Sequence, residues 1–471
     1  MNCNVFTVHI YVYSSSRATN QDTCSYRCRF GAMGKSSATS RDYKTQIFDS
    51  FDYTFFLTLY MMTAVHKFLF SFALLVAVCY ISFPGIEQKE PPLPASAEIE
   101  LSGGEYSRFK KSVESFSHQL FKRIVEQNPK ENAFVSPSSI SISLGMLFLG
   151  PGGDTREEIK SALNFDSLSF EKIAKGFLMQ LSETYYQDSD SILHMSNQLW
   201  ADRKFHLEDS FIFMAREFFR TELQKVDFLH YPNESREHIN AAVAKHTADH
   251  IQNILPDGSV DLQTKLVITN AIYFKGDWKH PFDKENTQDK TFTLLSGETV
   301  EVPTMFITKK FFHTKQDELH ILELPYKDQF SMIIYFPENP SEFDYSTVPQ
   351  IDFETLKRTT MDLEMPKFKI DTSLKMSKVL SAIGLGNLFT HCDLSGISDA
   401  PLYVDEIYHQ AFVETNEQGT EASAATAVVV NQRSLLIPQI TLSLNHPFLF
   451  EIRNTESSEI IFAGMLTNPS Q

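Results

Sequence analysis

Residues 417–434 read EQGTEASAATAVVVNQRS, a composition that is unusual both for a loop and for a helix. Gly419 allows the backbone to turn freely, and small residues and a run of valines follow it. Every second side chain of a strand points to the same side, so a stretch with one uncharged face fits into a sheet. Such a face is present here as a series of small or β-branched residues: Thr420, Ala422, Ala424, Thr426, Val428 and Val430.

Two other structures of this stretch remain open. Alanine is the best helix former, which favours a helix, although the valines at 428–430 argue against its extension. An alanine-rich composition is also typical of a flexible linker. Composition alone does not choose among the three.

The run from Glu417 to Ala422, followed by small residues and then a basic one, resembles the hinge and reactive loop of serpins. In that family a serine protease cleaves the loop sixteen residues after the hinge glutamate, which places the scissile bond here at Arg433–Ser434. The resemblance implies that the freed loop inserts as a new strand into a large sheet and carries the acylated protease with it. The hinge residues that it assigns are Glu417, Gly419, Thr420, Ala422, Ala424 and Thr426.

Insertion requires the uncharged face, because a charge buried there without a partner would cost several kcal/mol. Non-inhibitory relatives of the family, such as carriers, chaperones or storage proteins, tend to have bulky or charged residues on this face. The alternative function for this chain is therefore that of a non-inhibitory carrier, chaperone or storage protein. This chain departs from the family pattern at Gln418, often glutamate, and at Ser423, often alanine. Both changes are small or exposed, so the inhibitory prediction stands.

Two further stretches resemble serpin motifs. Ser136-Pro137 suits the start of a helix, with serine as the N-cap and proline at the first helical position. The run from Thr264 to Trp278 contains a continuous apolar stretch, as in a strand that is buried on both faces. By resemblance, Trp278 packs where the loop first enters the sheet. A polar cluster below that point is assigned to Ser136, Ser139, Asn270 and His409.

Buried polar groups must be hydrogen-bonded to one another, so this cluster would act as a latch on the sheet. Taken alone, His409 is better explained as a core histidine with satisfied hydrogen bonds.

The composition is that of a globular protein: 471 residues, 42% hydrophobic and 21% charged. The net charge is −17, and no run of five or more basic residues occurs, so no interaction with nucleic acid is expected. Heparin-activated serpins have a basic helix at the position of residues 156–183. Here its lysines are only Lys160, Lys172 and Lys175, and activation by a glycosaminoglycan is not predicted.

The N-terminal part is predicted to lie outside the functional domain. Residues 1–60 lack sustained periodicity and are expected to be absent from the mature protein, with translation starting at Met61 or Met62. Residues 61–85 have the layout of a secretory signal peptide, and their apolar run is shorter than the ~20 residues of a membrane helix. Residues 86–104 form a proline-rich linker, and 105–471 form the serpin domain. The sequence therefore predicts a secreted, extracellular protein without a membrane segment.

Processing would remove Cys3, Cys24, Cys28 and Cys79 and leave only Cys392, so no internal disulfide is expected. Asn233-Glu-Ser is the sole N-glycosylation sequon, which makes Asn233 a candidate for a glycan. His246 and His250 are four residues apart, a spacing that could hold a metal. No third ligand accompanies them, so surface histidines are the better interpretation, and neither a metal nor a cofactor is predicted.

Together, the motifs imply an α+β serpin fold with three β-sheets, about eight to nine helices and an exposed reactive loop. The predicted function is irreversible suicide-substrate inhibition of a trypsin-like serine protease, because Arg433 would enter an acidic specificity pocket as a charge-assisted donor. The expected partner is that protease, in a covalent complex with a monomeric inhibitor. An enzyme is not expected, since the sequence contains no GxSxG, HExxH or CxxC motif.

Overall fold

The structure is a computed structural model that describes residues 99–185, 191–221, 223–349, 351–420 and 437–471. These residues contain seven α-helices: α1 (Gly103–Gln127), α2 (Pro137–Phe148), α3 (Gly153–Ala162), α4 (Phe170–Thr184), α5 (Asp209–Phe219), α6 (Pro232–His246) and α7 (Ser377–Leu380). Short 3₁₀ segments lie at Lys284–Asn286, Phe353–Thr355 and Gly386–Phe389, and a π-type segment lies at Ser381–Leu385. None of the helices in this part of the chain is long and apolar enough to span a bilayer.

Helix α1 begins where the sequence supplies a capping box. The Ser102 hydroxyl accepts the Glu105 N–H at 3.4 Å, and the Glu105 carboxylate accepts the Ser102 N–H at 3.1 Å. Apolar residues recur along this helix at steps of three and four, and all of them are buried: Phe109, Val113, Phe116, Leu120 and Ile124. Since the helix starts at Gly103, it overlaps the predicted linker by two residues.

Helix α2 runs through the interior, and all of its residues are buried. Ser136 caps its N-terminus, where the serine hydroxyl accepts the N–H of Ser139 at 3.2 Å, and Pro137 occupies the first helical position as predicted. Gly145 lies against Phe177 of α4, so closely that an added Cβ would be 2.4 Å from the ring. The absence of a side chain at Gly145 therefore lets α2 and α4 pack in direct contact.

The described residues form fifteen strands: β1 (Ala133–Val135), β2 (Ile192–Asp202), β3 (Gln224–Val226), β4 (Leu266–Asp277), β5 (Gln288–Thr293), β6 (Thr299–Gln316), β7 (Leu319–Pro325), β8 (Phe330–Pro337), β9 (Lys357–Pro366), β10 (Phe368–Lys375), β11 (Glu406–Thr415), β12 (Gly419–Thr420), β13 (Ile440–Ser443), β14 (Phe448–Asn454) and β15 (Ile460–Leu466). Strand β4 is buried along nearly all of its length, which confirms the prediction of a strand covered on both faces.

A six-stranded sheet has the order β10-β11-β12-β4-β2-β3, and β11 also pairs directly with β4. Helix α2 covers one of its faces, where Leu266 and Ile268 of β4 share a core with the helix. Helix α6 covers the other face, where Ile239 and Val243 pack with residues of both β4 and β11. The centre of this sheet is therefore inaccessible to water from either side.

The remaining strands form a nine-stranded sheet in the order β1-β15-β14-β8-β7-β6-β9-β13, with β5 paired to β6. The expected α+β architecture is confirmed, but the described residues contain two sheets where the sequence predicted three. The physical reason is the length of β6, whose 18 residues pair with β5, β7 and β9 in turn and so join two groups of strands. The seven α-helices likewise fall below the expected number because several turns of the described chain adopt 3₁₀ or π geometry.

We expect Phe109→Ala to lower the free energy of unfolding by about 3–5 kcal/mol. The Phe109 ring is fully buried, stacks on Phe165 at 4.9 Å and meets the edge of Phe177 at 5.1 Å, so its removal leaves a cavity. Urea denaturation followed by fluorescence measures the change. The matched control is Phe312→Ala, where the ring is 39% exposed and a much smaller loss is expected. Equal losses in the two variants would contradict this description of the core.

Candidate functional site

The six-stranded sheet contains a parallel seam between its two central long strands. Residues 406–412 of β11 pair in register with residues 267–273 of β4. Beyond Phe412 and Tyr273 the two strands separate, and the short strand β12 lies between them. Gly419 pairs there with Asp277, and Thr420 pairs with Gly276. The predicted hinge therefore begins inside the sheet, at the point where the seam opens.

Gly419 is required at this position by the closeness of the neighbouring strand. An added Cβ would lie 2.1 Å from the carbonyl oxygen of Gly276 and 2.7 Å from the Cα of Asp277. Both contacts are with backbone, which cannot move aside without breaking the pairing. The sequence assigned Gly419 to a free turn, whereas the structure gives it a role in close strand packing.

Thr420 is fully buried, and its side chain points to the core side of the sheet. Its hydroxyl and that of Tyr326 are 2.7 Å apart, within hydrogen-bond distance. Tyr326 stacks on the Trp278 indole with ring centroids 4.5 Å apart. The indole N–H donates to the carbonyl of Asn416 at 3.0 Å, and the backbone N–H of Trp278 donates to Gln418 at 2.8 Å. Trp278 thus lies where the resemblance placed it, against the start of the hinge.

Glu417 anchors the chain just before the hinge enters the sheet. Its carboxylate pairs with Lys367 at 3.1 Å and accepts the Thr287 hydroxyl at 2.9 Å. Burial opposes its ionisation, but its own backbone amide, Thr287 and Lys367 together hold the pKa of Glu417 below its ordinary value. The charged form of Glu417 therefore fixes this end of the loop.

The four residues assigned to the polar cluster lie together in the core, and each is fully buried: Ser136, Ser139, Asn270 and His409. The Ser136 N–H donates to Nε2 of His409 at 3.2 Å, and the Ser136 hydroxyl donates to the Ile461 carbonyl at 2.7 Å. Nδ1 of His409 bonds to the Asn270 carbonyl oxygen. Because Nε2 accepts a hydrogen bond, Nδ1 must carry the proton in that pair.

Two members of the cluster were missed by the sequence reasoning. The Asn197 carbonyl oxygen accepts bonds from the Ser139 hydroxyl and the Asn270 amide, each at 2.8 Å. The Asn270 amide also donates to the Ser143 hydroxyl at 3.0 Å. Neither residue stands out along the chain, because Asn197 lies between Ser196 and Gln198 on β2 and Ser143 is one of four serines in α2.

The cluster bridges the seam, since His409 and Asn270 are directly opposite each other in the register of β11 and β4. Opening the seam at this level breaks their hydrogen bond and leaves two buried polar groups without partners. Burial lowers the pKa of His409 to about 3, against a weak opposing effect of Asn270, so the imidazole is neutral. The side chains that meet across the seam are therefore neutral and hydrogen-bonded.

Part of the predicted loop lies outside the described residues, namely Ala422, Ala424, Thr426, Arg433 and Ser434. The described chain stops at Thr420 in β12 and resumes at Ile437.

Other predicted positions lie away from this site. Asn233 is exposed in the first turn of α6. His246 is hydrogen-bonded to Gln198 at 2.9 Å, and His250 stacks on Tyr273 at 3.9 Å. Across the described ranges, no three histidine, cysteine or acidic residues are grouped so as to hold a metal. Cys392 is partly buried, which raises the pKa of its thiol.

A family model described as Serpin (serine protease inhibitor) matches residues 111–469, and the chain belongs to this family. It is 36% identical over 373 residues to the leukocyte elastase inhibitor of Bos taurus, covering 75% of this chain and 97% of that protein. It is 33% identical over 393 residues to Serpin B10 of Papio anubis, covering 76% and 98%. Since the family and these relatives are named as inhibitors or serpins, the chain is not an enzyme.

A solved structure supports the same fold. Serpin48 of the insect Tenebrio molitor has a TM-score of 0.69 and 28% sequence identity, covering 77% of this chain and 98% of that chain.

The predicted secretion is wrong. The relatives, which include leukocyte elastase inhibitors and serpins B10 and B6, are intracellular proteins, and the comparisons give no support for a signal peptide at 61–85. The apolar run at 68–81 fits the signal pattern by composition alone, and it lies outside the described residues. A glycan at Asn233 is not supported by the comparisons and stays a prediction.

We expect the stability supplied by His409 to be present above its ordinary pKa of 6.5 and to be lost as the pH falls toward about 3. The folded pKa is lower than the unfolded one, so the unfolded state binds the proton more tightly and acid favours unfolding. The slope should approach about 1.4 kcal/mol per pH unit in this interval. The midpoint of urea denaturation, followed from neutral to acidic pH, measures this slope.

The control for this prediction is His409→Gln, whose amide can replace both hydrogen bonds but does not titrate. The difference between the two pH profiles of stability gives the contribution of His409 alone, because the carboxylates that also protonate in acid contribute equally to both. Parallel profiles for the two proteins would rule out this role of His409.

Proposed function

We propose that this serpin inhibits a serine protease irreversibly, by offering its loop as a substrate and inserting it into the six-stranded sheet after cleavage. The observation that carries the proposal is the position of β12. Gly419 and Thr420 already lie between β4 and β11, and Thr420 faces the core. The residues that follow need only continue along the seam in the same register.

Insertion would exchange one set of backbone hydrogen bonds for another. The pairs between residues 406–412 and 267–273 break, and each strand pairs with the inserted loop instead. Alternate side chains of the loop then enter the core, and Ala422, Ala424 and Thr426 continue the uncharged face that begins at Thr420. The loop from Gly419 to Arg433 spans on the order of 50 Å when extended, which would move the attached protease across the sheet.

The proposed target is a trypsin-like protease, in a covalent complex with cleavage at Arg433–Ser434. This specificity rests on Arg433, whose guanidinium would form a forked, charge-assisted bond in an acidic pocket. Several relatives are named as elastase inhibitors, a name that gives no support to arginine specificity. The chemistry belongs to the serine, histidine and aspartate of the protease, and the loop supplies only the acyl group.

The extent of the inhibitory unit stays a prediction. We place it at residues 105–471 and expect it to act as a monomer.

We expect Arg433→Glu to abolish inhibition of trypsin, because a carboxylate would be repelled by the acidic pocket that binds arginine. Residual trypsin activity after incubation measures the loss, which should exceed a hundredfold in the rate of inhibition, roughly the value of a reversed charge pair in a desolvated site. Arg433→Lys is the control and should keep most of the inhibition. Undiminished inhibition by Arg433→Glu would place the scissile bond elsewhere.

We expect Thr420→Arg to leave cleavage intact but to convert the inhibitor into a substrate. The new guanidinium would have to enter the core beside Tyr326 without a partner, which blocks insertion while leaving Arg433 accessible. SDS gel electrophoresis of the reaction products separates the covalent complex from the cleaved inhibitor.

The matched control is Ser423→Arg, which adds the same charge on the opposite face of the loop and should still trap the protease. If Thr420→Arg trapped as much protease as the unmodified chain, the insertion mechanism would be wrong.

Insertion should also raise the melting temperature of the cleaved protein above that of the intact one.

A further inference from the structure

The chain that connects helix α6 to strand β4 is attached to both strands of the seam. We call this connection, residues 247–264, the strap. On the β11 side, the Tyr408 hydroxyl donates to the carbonyl of Ser259 at 3.0 Å. On the β4 side, the His250 ring stacks on Tyr273, with ring centroids 3.9 Å apart and planes 7° from parallel. The strap therefore bridges β4 and β11 on the side of the sheet that α6 covers.

Tyr273 marks the level at which the seam opens. It pairs with Phe412 in the last register pair between β4 and β11, and it lies directly opposite His194 of β2. The His194 ring is nearly parallel to the Tyr273 ring, at 6.1 Å and 13°. Tyr273 is only 2% exposed, so its neighbours cover the phenol ring. We call His194, Tyr273 and His250 together the clasp.

The turn that brings His250 to the clasp is strained. Ala248 has a φ of 49° and Asp249 a φ of 65°, in the left-handed region that residues with a Cβ adopt at a cost in free energy. The His250 N–H donates to the carbonyl of Thr247 at 3.0 Å and closes the turn. Contacts around the turn must hold it in this conformation, and the strain favours its release once His250 leaves Tyr273.

Insertion of the loop conflicts with the two attachments of the strap. Adjacent strands are ~4.8 Å apart, so a strand added between β4 and β11 would move Tyr273 and Tyr408 apart by about that distance. The strap cannot keep both contacts over the wider gap without rearranging. His250 is exposed, which makes its stack on Tyr273 the attachment that solvent reaches directly.

Protonation opposes the closed clasp. Burial, and after it the charge of His250, lowers the pKa of His194 from its ordinary value of 6.5. Lifting His250 away relieves both effects, so the open clasp binds a proton more tightly than the closed one, and acid favours opening. The face of a phenol attracts one cation, but here two imidazoles share the same ring, and their charges repel each other.

Other titratable side chains are on this side of the sheet near the clasp. Lys275 and Glu414 alternate with Tyr273 and Phe412 along β4 and β11, and Asp249 precedes His250 in the strap. His246 of α6 faces β2, with Nδ1 2.9 Å from the Gln198 amide. The two carboxylates do not reverse the direction in which the pKa of His194 is shifted.

We propose that the clasp is a pH-sensitive fastening, which holds the strap over the seam at neutral pH and releases it in acid, so that the loop inserts faster. This inference rests on the proposed inhibitory function and adds to it a control on the rate of insertion.

Oxidation of the Tyr273 ring by hydroxyl radicals, measured by mass spectrometry and normalised to the 55% exposed Tyr231, reports opening of the clasp. In the unmodified protein we expect several-fold more oxidation of Tyr273 at pH 5.5 than at pH 7.5. The upper limit is about tenfold, the most that one proton gives one pH unit below 6.5.

Two variants remove the proton-binding groups. His250→Phe keeps an aromatic ring on Tyr273 but cannot be protonated, so the response of Tyr273 to pH should disappear, and His194→Phe should likewise reduce it. His206→Phe is the matched control, because His206 is exposed and lies beyond the other end of β2, and it should respond as the unmodified protein does. Since His250 is exposed, the melting temperature of His250→Phe should be unchanged at pH 7.5.

A second measurement connects the clasp to insertion. The ratio of trapped to merely cleaved inhibitor, measured with trypsin at pH 6.0, should be about threefold higher for the unmodified protein than for His250→Phe. At pH 7.5 the two ratios should be equal. Comparing the two proteins at one pH cancels the pH dependence of the protease itself.

The outcomes separate this proposal from the inhibitory one. If Tyr273 becomes oxidised in acid but protease is never trapped, the inhibitory mechanism fails and the clasp stands. If protease is trapped but oxidation of Tyr273 is unchanged or lower in acid, the clasp proposal alone is overturned. An unaltered pH response in His250→Phe overturns it too, and equal trapping ratios at pH 6.0 would overturn its connection to insertion.

Discussion

The parallel contact between β11 and β4 is the constraint on which the rest of this structure depends. Two long strands that are adjacent in the sheet are held together over residues 406–412 and 267–273, yet they separate immediately beyond. Helices cover both faces, so the seam cannot exchange its hydrogen bonds with water. Only another strand can replace the partner that each strand would lose. An added strand between β4 and β11 is what the proposed inhibitory mechanism requires.

Two clusters of polar side chains lie along the seam between β4 and β11, one at its open end and one further along it. At the open end, Thr420 and Tyr326 are bonded over a stacked Trp278, and Gly419 makes the approach of β12 possible. Lower down, His409 and Asn270 connect the two strands across the seam. Opening the seam would leave these buried groups unpaired, and that cost favours the closed arrangement of β4 and β11. The two clusters are thus parts of one device.

Much of the site could be predicted from the sequence because its elements are local patterns. The capped start of α2 at Ser136, the buried run of β4 and the uncharged face of the hinge each follow from spacing along the chain. Asn197, Ser143 and Tyr326 could not be found in this way. Their roles arise from contacts between residues 58 to 127 positions apart, or 94 in the case of Tyr326 and Thr420, and no periodicity encodes such contacts. The apolar run at 68–81 led to the opposite error, because its local pattern predicted secretion and the comparisons do not support it.

The sequence by itself determined the class of fold, because burial patterns and helix caps are properties of short segments. Only the tertiary structure decided where those segments meet. It placed Gly419 against the backbone of Gly276 and gave His409 its neutral state through complete burial. These outcomes depend on distance and on exclusion of water, which exist only after the chain has packed.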